Sequence, residues 1–279
     1  MDLTPRLPHA PPADPPVGAG VWLPPAQFDD WLARLPAVGW LAVDSEEALA
    51  AGGRLRWVLG RLAARYPLAL HEGWLCPGDA DPPDAARLAR LEAACAALAP
   101  AWVVLPLGWR MVDGRPLALP LPLPATGAVL EHLVARVRAL REALGRPLVL
   151  ENLPSLLPFR HATLPEWTLA ARLAERADCR LLLHLGHLQV TARQHGFDPL
   201  DYLNGLPPWR VAGYRLGTPR PGRPDAPPDE GQWALLRAAL LRIGPRPTLS
   251  GQGGSVAALE DAAHRIDRLL DGACRARTA

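Results

Sequence analysis

Residues 147–152, PLVLEN, and residues 180–185, RLLLHL, are two apolar runs of strand length. The segment between them, 165–176, carries apolar residues at helical spacing. Neither run alternates between apolar and polar residues, and continuous apolarity is typical of parallel strands that are covered on both faces. The stretch from 147 to 185 therefore predicts one β-α-β unit with a buried parallel pair.

The same alternation of strand and helix candidates continues in both directions along the chain. The other strand candidates are 18–23, 39–43, 68–71, 102–107, 210–216 and 247–251, and the other helix candidates are 26–35, 46–64, 84–98, 126–144, 199–204, 230–243 and 255–270. Eight such units predict α/β architecture in the form of a single (β/α)8 TIM barrel of the xylose-isomerase-like type. A doubly wound open sheet is the alternative, but no GxGxxG motif follows the first strand.

Composition and termini limit the class of protein. The 279 residues include 30 basic and 28 acidic ones, a net charge of +2, which argues against a broad nucleic-acid-binding face. No apolar run is long enough to span a bilayer and no secretory signal is visible, so we expect a cytoplasmic protein without a membrane partner. Residues 1–16 are rich in proline and predict a disordered tail, which leaves 17–272 for the barrel.

Polar residues at predicted strand ends are the candidates for chemistry, because the active sites of such barrels form where strands end. The third strand ends in His71 and Glu72, the fifth in Glu151 and Asn152, and the sixth in His184 with His187 three residues later. Imidazole and carboxylate together suit Fe, Zn or Mn. The pattern therefore indicates a cluster of candidate metal ligands.

Each of these residues also has a purely structural interpretation. A single strand-end histidine such as His71 is usually a hydrogen-bonded packing residue. A carboxylate at a buried strand end such as Glu151 is costly unless a cation, a metal or several donors pair with it. His184 and His187 point to opposite faces if the strand persists, and converge only if the chain turns at Gly186.

Two tryptophans and two proline- or glycine-rich segments complete the list of candidates. Trp74 and Trp109 follow the third and fourth strands, where they either stack on a bound peptide or small ring or fill volume. Residues 116–124, PLALPLPLP, predict an extended loop that could serve as a docking strip. Residues 250–255, SGQGGS, are compatible with a phosphate-binding loop but equally with an ordinary flexible one.

Three stretches carry a resemblance to a known family. They are YPLALHEGW (66–74), LVLENLPSLLPF (148–159), and the long segment from LPEWT to PPWRV (164–211). In order and spacing they resemble the multinuclear non-haem iron family of the methanobactin oxazolone synthase B subunit type, a domain of unknown function family, over most of 17–270. The resemblance implies a TIM barrel that holds two or three irons and uses dioxygen to modify cysteines of a ribosomally made peptide, often beside a small accessory protein. His71, Glu151 and Asn152 match residues of the family's motifs.

The departures from the family pattern lie at other ligand positions. Relative to the family's patterns, Pro106 and Arg215 each replace a histidine, His184 replaces an aspartate and His187 an asparagine. Pro219 falls at a further histidine, Asp225-Ala226-Pro227 replaces an Asp-(Thr/Ser)-His motif, and the last strand, TLSGQG, contains no carboxylate. A multinuclear cluster needs several bridging carboxylates, and too few remain.

These losses lead to three hypotheses. The first is a degenerate, non-oxidative binding or scaffold protein in which Arg215 pairs with Glu151. The second is an iron-dependent enzyme with one rearranged metal held by His71, Glu151, His184 and His187, and with Glu151 and Arg215 as catalytic groups. The third is an unrelated isomerase-type barrel that binds a phosphorylated molecule. Substrate contacts are expected from Asn152, Trp74, Trp109 and Asp225.

Overall fold

A computed structural model describes residues 15–50, 53–220, 223–251 and 254–278, without the side chains of residues 49–50, 218–220, 223–225 and 277–278. Eight parallel strands close into a barrel in the order β1-β12-β9-β8-β7-β4-β3-β2. These strands are β1 (Ala19–Trp22), β2 (Trp40–Asp44), β3 (Leu68–His71), β4 (Trp102–Pro106), β7 (Leu148–Glu151), β8 (Arg180–His184), β9 (Val211–Leu216) and β12 (Thr248–Ser250). The predicted TIM barrel is confirmed.

Helices cover the outside of the barrel. They are α1 (Phe28–Arg34), α2 (Ser45–Ala50), α3 (Gly53–Ala63), α4 (Ala85–Leu98), α5 (Gly127–Leu144), α6 (Glu166–Arg176), α7 (Leu185–His195), α8 (Pro199–Asn204), α9 (Glu230–Arg242) and α10 (Val256–Thr278). Short 3-10 helices at Pro25–Gln27 and Pro208–Arg210 precede α1 and β9. Side-chain caps fix several helix starts; Asp84 and Thr126, for example, accept backbone N–H groups at the starts of α4 and α5.

The structure differs from the sequence prediction at five places. The helix predicted over 46–64 is two helices, α2 and α3. The predicted loop 116–124 belongs largely to an antiparallel hairpin of β5 (Trp109–Val112) and β6 (Arg115–Leu121). A second hairpin, which was not predicted, pairs β10 (Thr218–Arg220) with β11 (Arg223–Ala226), and α7 follows the sixth strand where no helix was predicted. The last helix, predicted to end at residue 270, runs to Thr278.

The barrel interior is filled by side chains. Trp40 and Trp102 meet edge to face with ring centroids 5.3 Å apart, and Leu182 and Leu249 pack in the same cluster. A Cβ added at Gly20 would lie 2.1 Å from the Trp40 ring, so glycine is required there. Because the interior is solid, any site that the barrel offers lies at the mouth, where the strands end.

Two sequence expectations concern the ends and the surface of the chain. Most of the predicted tail, residues 1–16, lies outside the described residues and stays a prediction, as does the domain boundary at 272. Within the described ranges, no helix has the length and apolar character needed to cross a membrane.

Candidate functional site at the barrel mouth

Neighbouring strands bring the predicted site residues to one end of the barrel. His71 is the last residue of β3, Glu151 the last of β7, and His184 the last of β8. The strand register places Arg215 of β9 directly beside His184. All four side chains therefore belong to the mouth, as the strand-end argument predicts.

An ion pair occupies the mouth. Nη1 of Arg215 donates to both carboxylate oxygens of Glu151, at 3.0 and 3.2 Å. The guanidinium also lies over the ring of Trp22, 4.8 Å from its centroid. The side chains of Arg215 and Glu151 are only 14% and 9% exposed. Glu151 thus has the cationic partner that its burial requires.

His71 lies against this pair. Its Nδ1 is 3.7 Å from Oε2 of Glu151, and its ring meets Trp22 edge to face with centroids 4.7 Å apart. Burial lowers the pKa of His71, so the ring is neutral near pH 7 and its contact with Glu151 is not an ion pair. Its Nε2 is buried and has no hydrogen-bond partner among the described residues.

The charge of Glu151 is fixed by its neighbours. Burial alone would raise the pKa of its carboxyl, but the attraction of Arg215, followed by the contact with the His71 ring, holds that pKa well below its usual value. Glu151 is therefore a carboxylate at neutral pH. In this state it is an acceptor only, and it cannot act as a proton donor.

His184 and His187 converge because the chain changes from strand to helix between them. His184 ends β8 and caps α7, and its Nδ1 accepts the backbone N–H of His187 at 3.3 Å. The two rings stack with centroids 3.6 Å apart. The turn lies at Gly186, where an added Cβ would be 2.0 Å from the carbonyl oxygen of Gly217. The sequence left open whether the strand persists through His187 or the chain turns at Gly186, and the structure shows the turn.

Asn152 fixes this histidine pair. Its Oδ1 accepts the backbone N–H of His184 at 2.7 Å, and its backbone carbonyl lies 2.7 Å from Nδ1 of His187, which therefore carries the proton. Burial, followed by the charge of His184, lowers the pKa of His187 to about 3. Asn152 is thus a positioning residue for the pair in this structure. Its predicted role in substrate binding stays a prediction.

Glu72, by contrast, has a structural role. It is fully buried, and its Oε1 accepts the backbone N–H groups of Trp74 and Leu75 and Nε of Arg87. Its Oε2 accepts the hydroxyl of Ser45 at 2.7 Å. With this many donors already bound, Glu72 is not available as a ligand.

The two predicted stacking tryptophans are held by the hairpin side of the mouth. The Arg110 guanidinium lies 3.6 Å from the Trp74 ring centroid. Nε1 of Trp109 donates to the carbonyl of Pro122 at 3.0 Å. The side chain of Asp225 lies outside the described residues, as does that of Pro219. The sequence analysis missed Trp22, although its position at the end of the first strand was available as an indication.

Exposed apolar side chains lie on two neighbouring loops above the mouth. The β5–β6 hairpin follows β4 and the loop 152–165 follows β7, and β4 and β7 are paired neighbours. The two segments touch, because a Cβ added at Gly108 would lie 2.4 Å from both the carbonyl oxygen of Leu121 and a methyl carbon of Leu153. We call their exposed members the apolar collar: Leu119, Leu121, Leu156, Leu157 and Phe159.

The mouth does not fit the multinuclear iron that the resemblance implies. Among the described residues, no group of three or more His, Cys, Asp or Glu side chains has the geometry to hold a metal ion. Glu151, the carboxylate at the centre, has both oxygens bonded to Arg215, which is never deprotonated in proteins. Nδ1 of each histidine in the stacked pair is also engaged by backbone groups.

The fold and the position of this site define the chain as a TIM barrel of the xylose-isomerase-like class. It is similar to L-ribulose 3-epimerase, with a TM-score of 0.59 and 18% identity over 94% of this chain and 97% of the epimerase. It is also similar to endonuclease IV from Thermus thermophilus, with a TM-score of 0.57 and 14% identity over 92% of this chain and 100% of the nuclease. At these identities the likeness shows the fold alone.

The chain belongs to the family of RiPP precursor modification enzymes MbnB/TglH/ChrH, whose family model matches residues 18–270. A UPF0276 protein of Acaryochloris marina is 38% identical over 241 residues, which cover 83% of this chain and 86% of the relative. A UPF0276 protein of an Anaeromyxobacter species is 40% identical over 200 residues, which cover 72% of this chain and 71% of the relative. The family resemblance is confirmed, and the hypothesis of an unrelated isomerase-type barrel is wrong.

Proposed function

We propose that this chain binds a ribosomally made, cysteine-containing peptide over the barrel mouth and does not oxidise it. The observation that carries the proposal is the Arg215–Glu151 ion pair, because a permanent cation lies where a cluster of metal cations would need anionic ligands. At about 4 Å, each unit of like charge costs roughly 4 kcal/mol at an effective dielectric constant near 20. The same pair takes up both oxygens of the carboxylate that would compensate such a charge.

The polar groups that remain at the mouth suit binding better than redox chemistry. The buried Nε2 of His71 has no hydrogen-bond partner in the described part of the chain, so its capacity for one hydrogen bond is unused. His71 and His187 are neutral at physiological pH, since burial lowers both pKa values. Two neutral imidazoles beside an ion pair whose charges compensate each other favour recognition of a neutral side chain.

The apolar collar supports a peptide as the ligand. Leu156 and Leu157 are 61% and 78% exposed, and Leu119 on the neighbouring hairpin is 46% exposed. Large exposed apolar side chains gathered on neighbouring segments are a feature of interaction surfaces. A peptide that lies across the collar would bury these side chains and present one residue to the mouth. This function places the protein in the cytoplasm, where ribosomally made peptides arise.

Metal analysis tests the non-oxidative part of the proposal. The protein would be expressed with iron supplied, purified without chelator and analysed by elemental mass spectrometry, beside His71→Ala and His184→Ala. We expect wild-type protein to hold no more iron than the two variants. Two or more irons per chain would overturn the proposal. One metal that is lost in both variants would instead support the rearranged site of His71, Glu151, His184 and His187.

Peptide binding tests the other part. A fluorescently labelled, cysteine-containing peptide encoded beside the gene would be titrated with the protein, with and without any small accessory protein encoded there. We expect Leu119→Gln and Leu157→Gln to weaken binding about tenfold, since each removes roughly 1.5 kcal/mol of apolar burial. Leu241, which is 73% exposed on α9, provides the matched control as Leu241→Gln. Equal affinities in all three variants would contradict binding at the collar.

A further inference from the structure

A second concave site lies at the opposite end of the barrel, where the strands begin. The end of α5, the turn between α6 and β8, and the 3-10 helix before β9 enclose a cavity of about 440 Å³. Its size lies in the range of roughly 300–1,000 Å³ that is usual for small-molecule sites. We call it the arginine pocket after its lining, which includes Arg141, Arg146, Arg180, Arg210 and Asp178.

The structural roles of three of these arginines are visible. Nη1 of Arg210 donates to Oδ1 of Asp178 at 2.7 Å, and Nη1 of Arg141 donates to the other oxygen of that carboxylate. Arg146 is 3% exposed and donates to the carbonyl oxygens of Cys95 and Pro100. These contacts tie the ends of α4, α5 and α6 to the base of the barrel.

The contacts leave the pocket with an excess of positive charge. With Arg146 set aside, Arg141, Arg180 and Arg210 face one carboxylate, so three positive charges minus one negative charge leave two. Each oxygen of Asp178 already accepts from one guanidinium, that of Arg141 or that of Arg210. Arg180 is exposed at the first position of β8 and makes no ion pair within the described ranges. The fold gives no reason for a third arginine at this position.

We propose that the arginine pocket binds a small phosphorylated molecule. The planar guanidinium presents its donors in a fork that matches two oxygens of a phosphate, and it stays charged at all physiological pH values. Arg180 supplies the free fork and Arg210 the second positive charge, while Asp178 holds Arg141 and Arg210 in place. This site is separate from the mouth, so it does not depend on the peptide-binding proposal.

Calorimetry with a defined anion tests the inference. Sodium pyrophosphate would be titrated into the full chain at constant ionic strength, with citrate as a carboxylate anion of similar charge. We expect saturable binding of one pyrophosphate per chain, and binding about tenfold weaker in Arg180→Ala, because a charge-assisted bidentate contact is lost. Arg180→Lys should fall between the two, since it keeps the charge and loses the fork.

Matched variants separate a built site from general attraction to a basic surface. Arg237→Ala removes the same charge from an exposed position on α9 and should bind pyrophosphate like the wild type. Arg210→Ala should also weaken binding, but it breaks a contact with Asp178, so its thermal unfolding would be compared first. Three outcomes would overturn the proposal: no saturable binding, equal binding in Arg180→Ala and Arg237→Ala, or citrate binding as tight as that of pyrophosphate.

Discussion

Glu72 and Glu151 are both buried glutamates that follow or end a barrel strand, yet their surroundings differ in kind. The oxygens of Glu72 accept two backbone N–H groups, a hydroxyl and a guanidinium, all from one side of the mouth. The oxygens of Glu151 face Arg215 and His71, which come from two other strands. No backbone donor to the Glu151 carboxylate is present within the described ranges. Glu72 is therefore integrated into the local chain, whereas Glu151 is held only by side chains across the barrel.

The difference separates a structural carboxylate from one that a ligand site can use. Backbone donors cannot be removed by changing another residue, so the interactions of Glu72 are fixed by the fold. The partners of Glu151 are side chains, and each can be exchanged without changing the backbone. This explains how Glu151 can have Arg215 as its partner without any change in the barrel backbone.

The largest expected loss of stability follows the replacement of Glu72. Glu72→Gln should lower the free energy of unfolding by about 3–5 kcal/mol, because it leaves the buried guanidinium of Arg87 without its main partner. Glu46, the other partner of Arg87, is 42% exposed and gives the matched control. Glu46→Gln should cost less than about 1 kcal/mol. Urea denaturation measures both, and equal losses would show that Glu72 is not the structural carboxylate.

The second-largest effect is the difference in stability between replacing each glutamate alone and replacing it together with its arginine partner. Glu151→Leu alone should cost about 3 kcal/mol, and adding Arg215→Leu should recover most of it, because a buried pair replaced by apolar side chains is often neutral. Glu72→Leu with Arg87→Leu should not recover, since two backbone N–H groups stay without acceptors. Urea denaturation of both double variants and of the single variants that compose them gives the comparison. If stability recovers in both double variants, or in neither, the two glutamates do not differ in the way described.

The side of the mouth that holds Glu151 and His187 should lose stability in acid. The pKa of His187 is about 3 in the folded state, against an ordinary value of 6.5, so the unfolded chain binds more protons below about pH 6.5. Stability should therefore fall as the pH drops from about 6.5 towards 3, by at most about 1.4 kcal/mol per pH unit. The low pKa of Glu151 adds a loss in the same direction, below the usual range of a glutamate.

Stability measured at about pH 7 and about pH 5 checks this expectation. His187→Gln should flatten the pH dependence, because the substituted side chain does not titrate. His161→Gln, at an exposed position, should leave it as in the wild type. An unchanged pH dependence in His187→Gln would locate the acid sensitivity elsewhere.

The smallest expected effect concerns one hydrogen bond of Glu72. Ser45→Ala removes the hydroxyl that donates to Oε2 and should cost about 1 kcal/mol. In a Glu72→Gln background the same substitution should cost less, because the charged acceptor is already gone. Thermal unfolding of the single and double variants measures this coupling, and additive costs would show that the hydroxyl does not act through Glu72.

Much of the fold and part of the mouth follow from the sequence. Continuously apolar strands predict the parallel barrel, and the strand ends predict that His71, Glu151, His184 and Arg215 meet. The start of α7 was not predictable from apolar periodicity, since LLLHLGHL continues the strand pattern, and the turn depends on the approach of Gly186 to Gly217. The structural role of Glu72 depends on Ser45 and Arg87, whose side chains come from other segments.

The closed barrel has a consequence for self-association. Because β1 pairs with both β2 and β12, the eight barrel strands leave no backbone edge open to another chain. In the described part of the chain, strand edges remain only in the two hairpins, and β6, β10 and β11 each contain proline. A proline has no N–H to offer an incoming strand, so these edges are poor templates for aggregation. The β6 edge can therefore carry Leu119 and Leu121 of the apolar collar without inviting strand pairing along that edge.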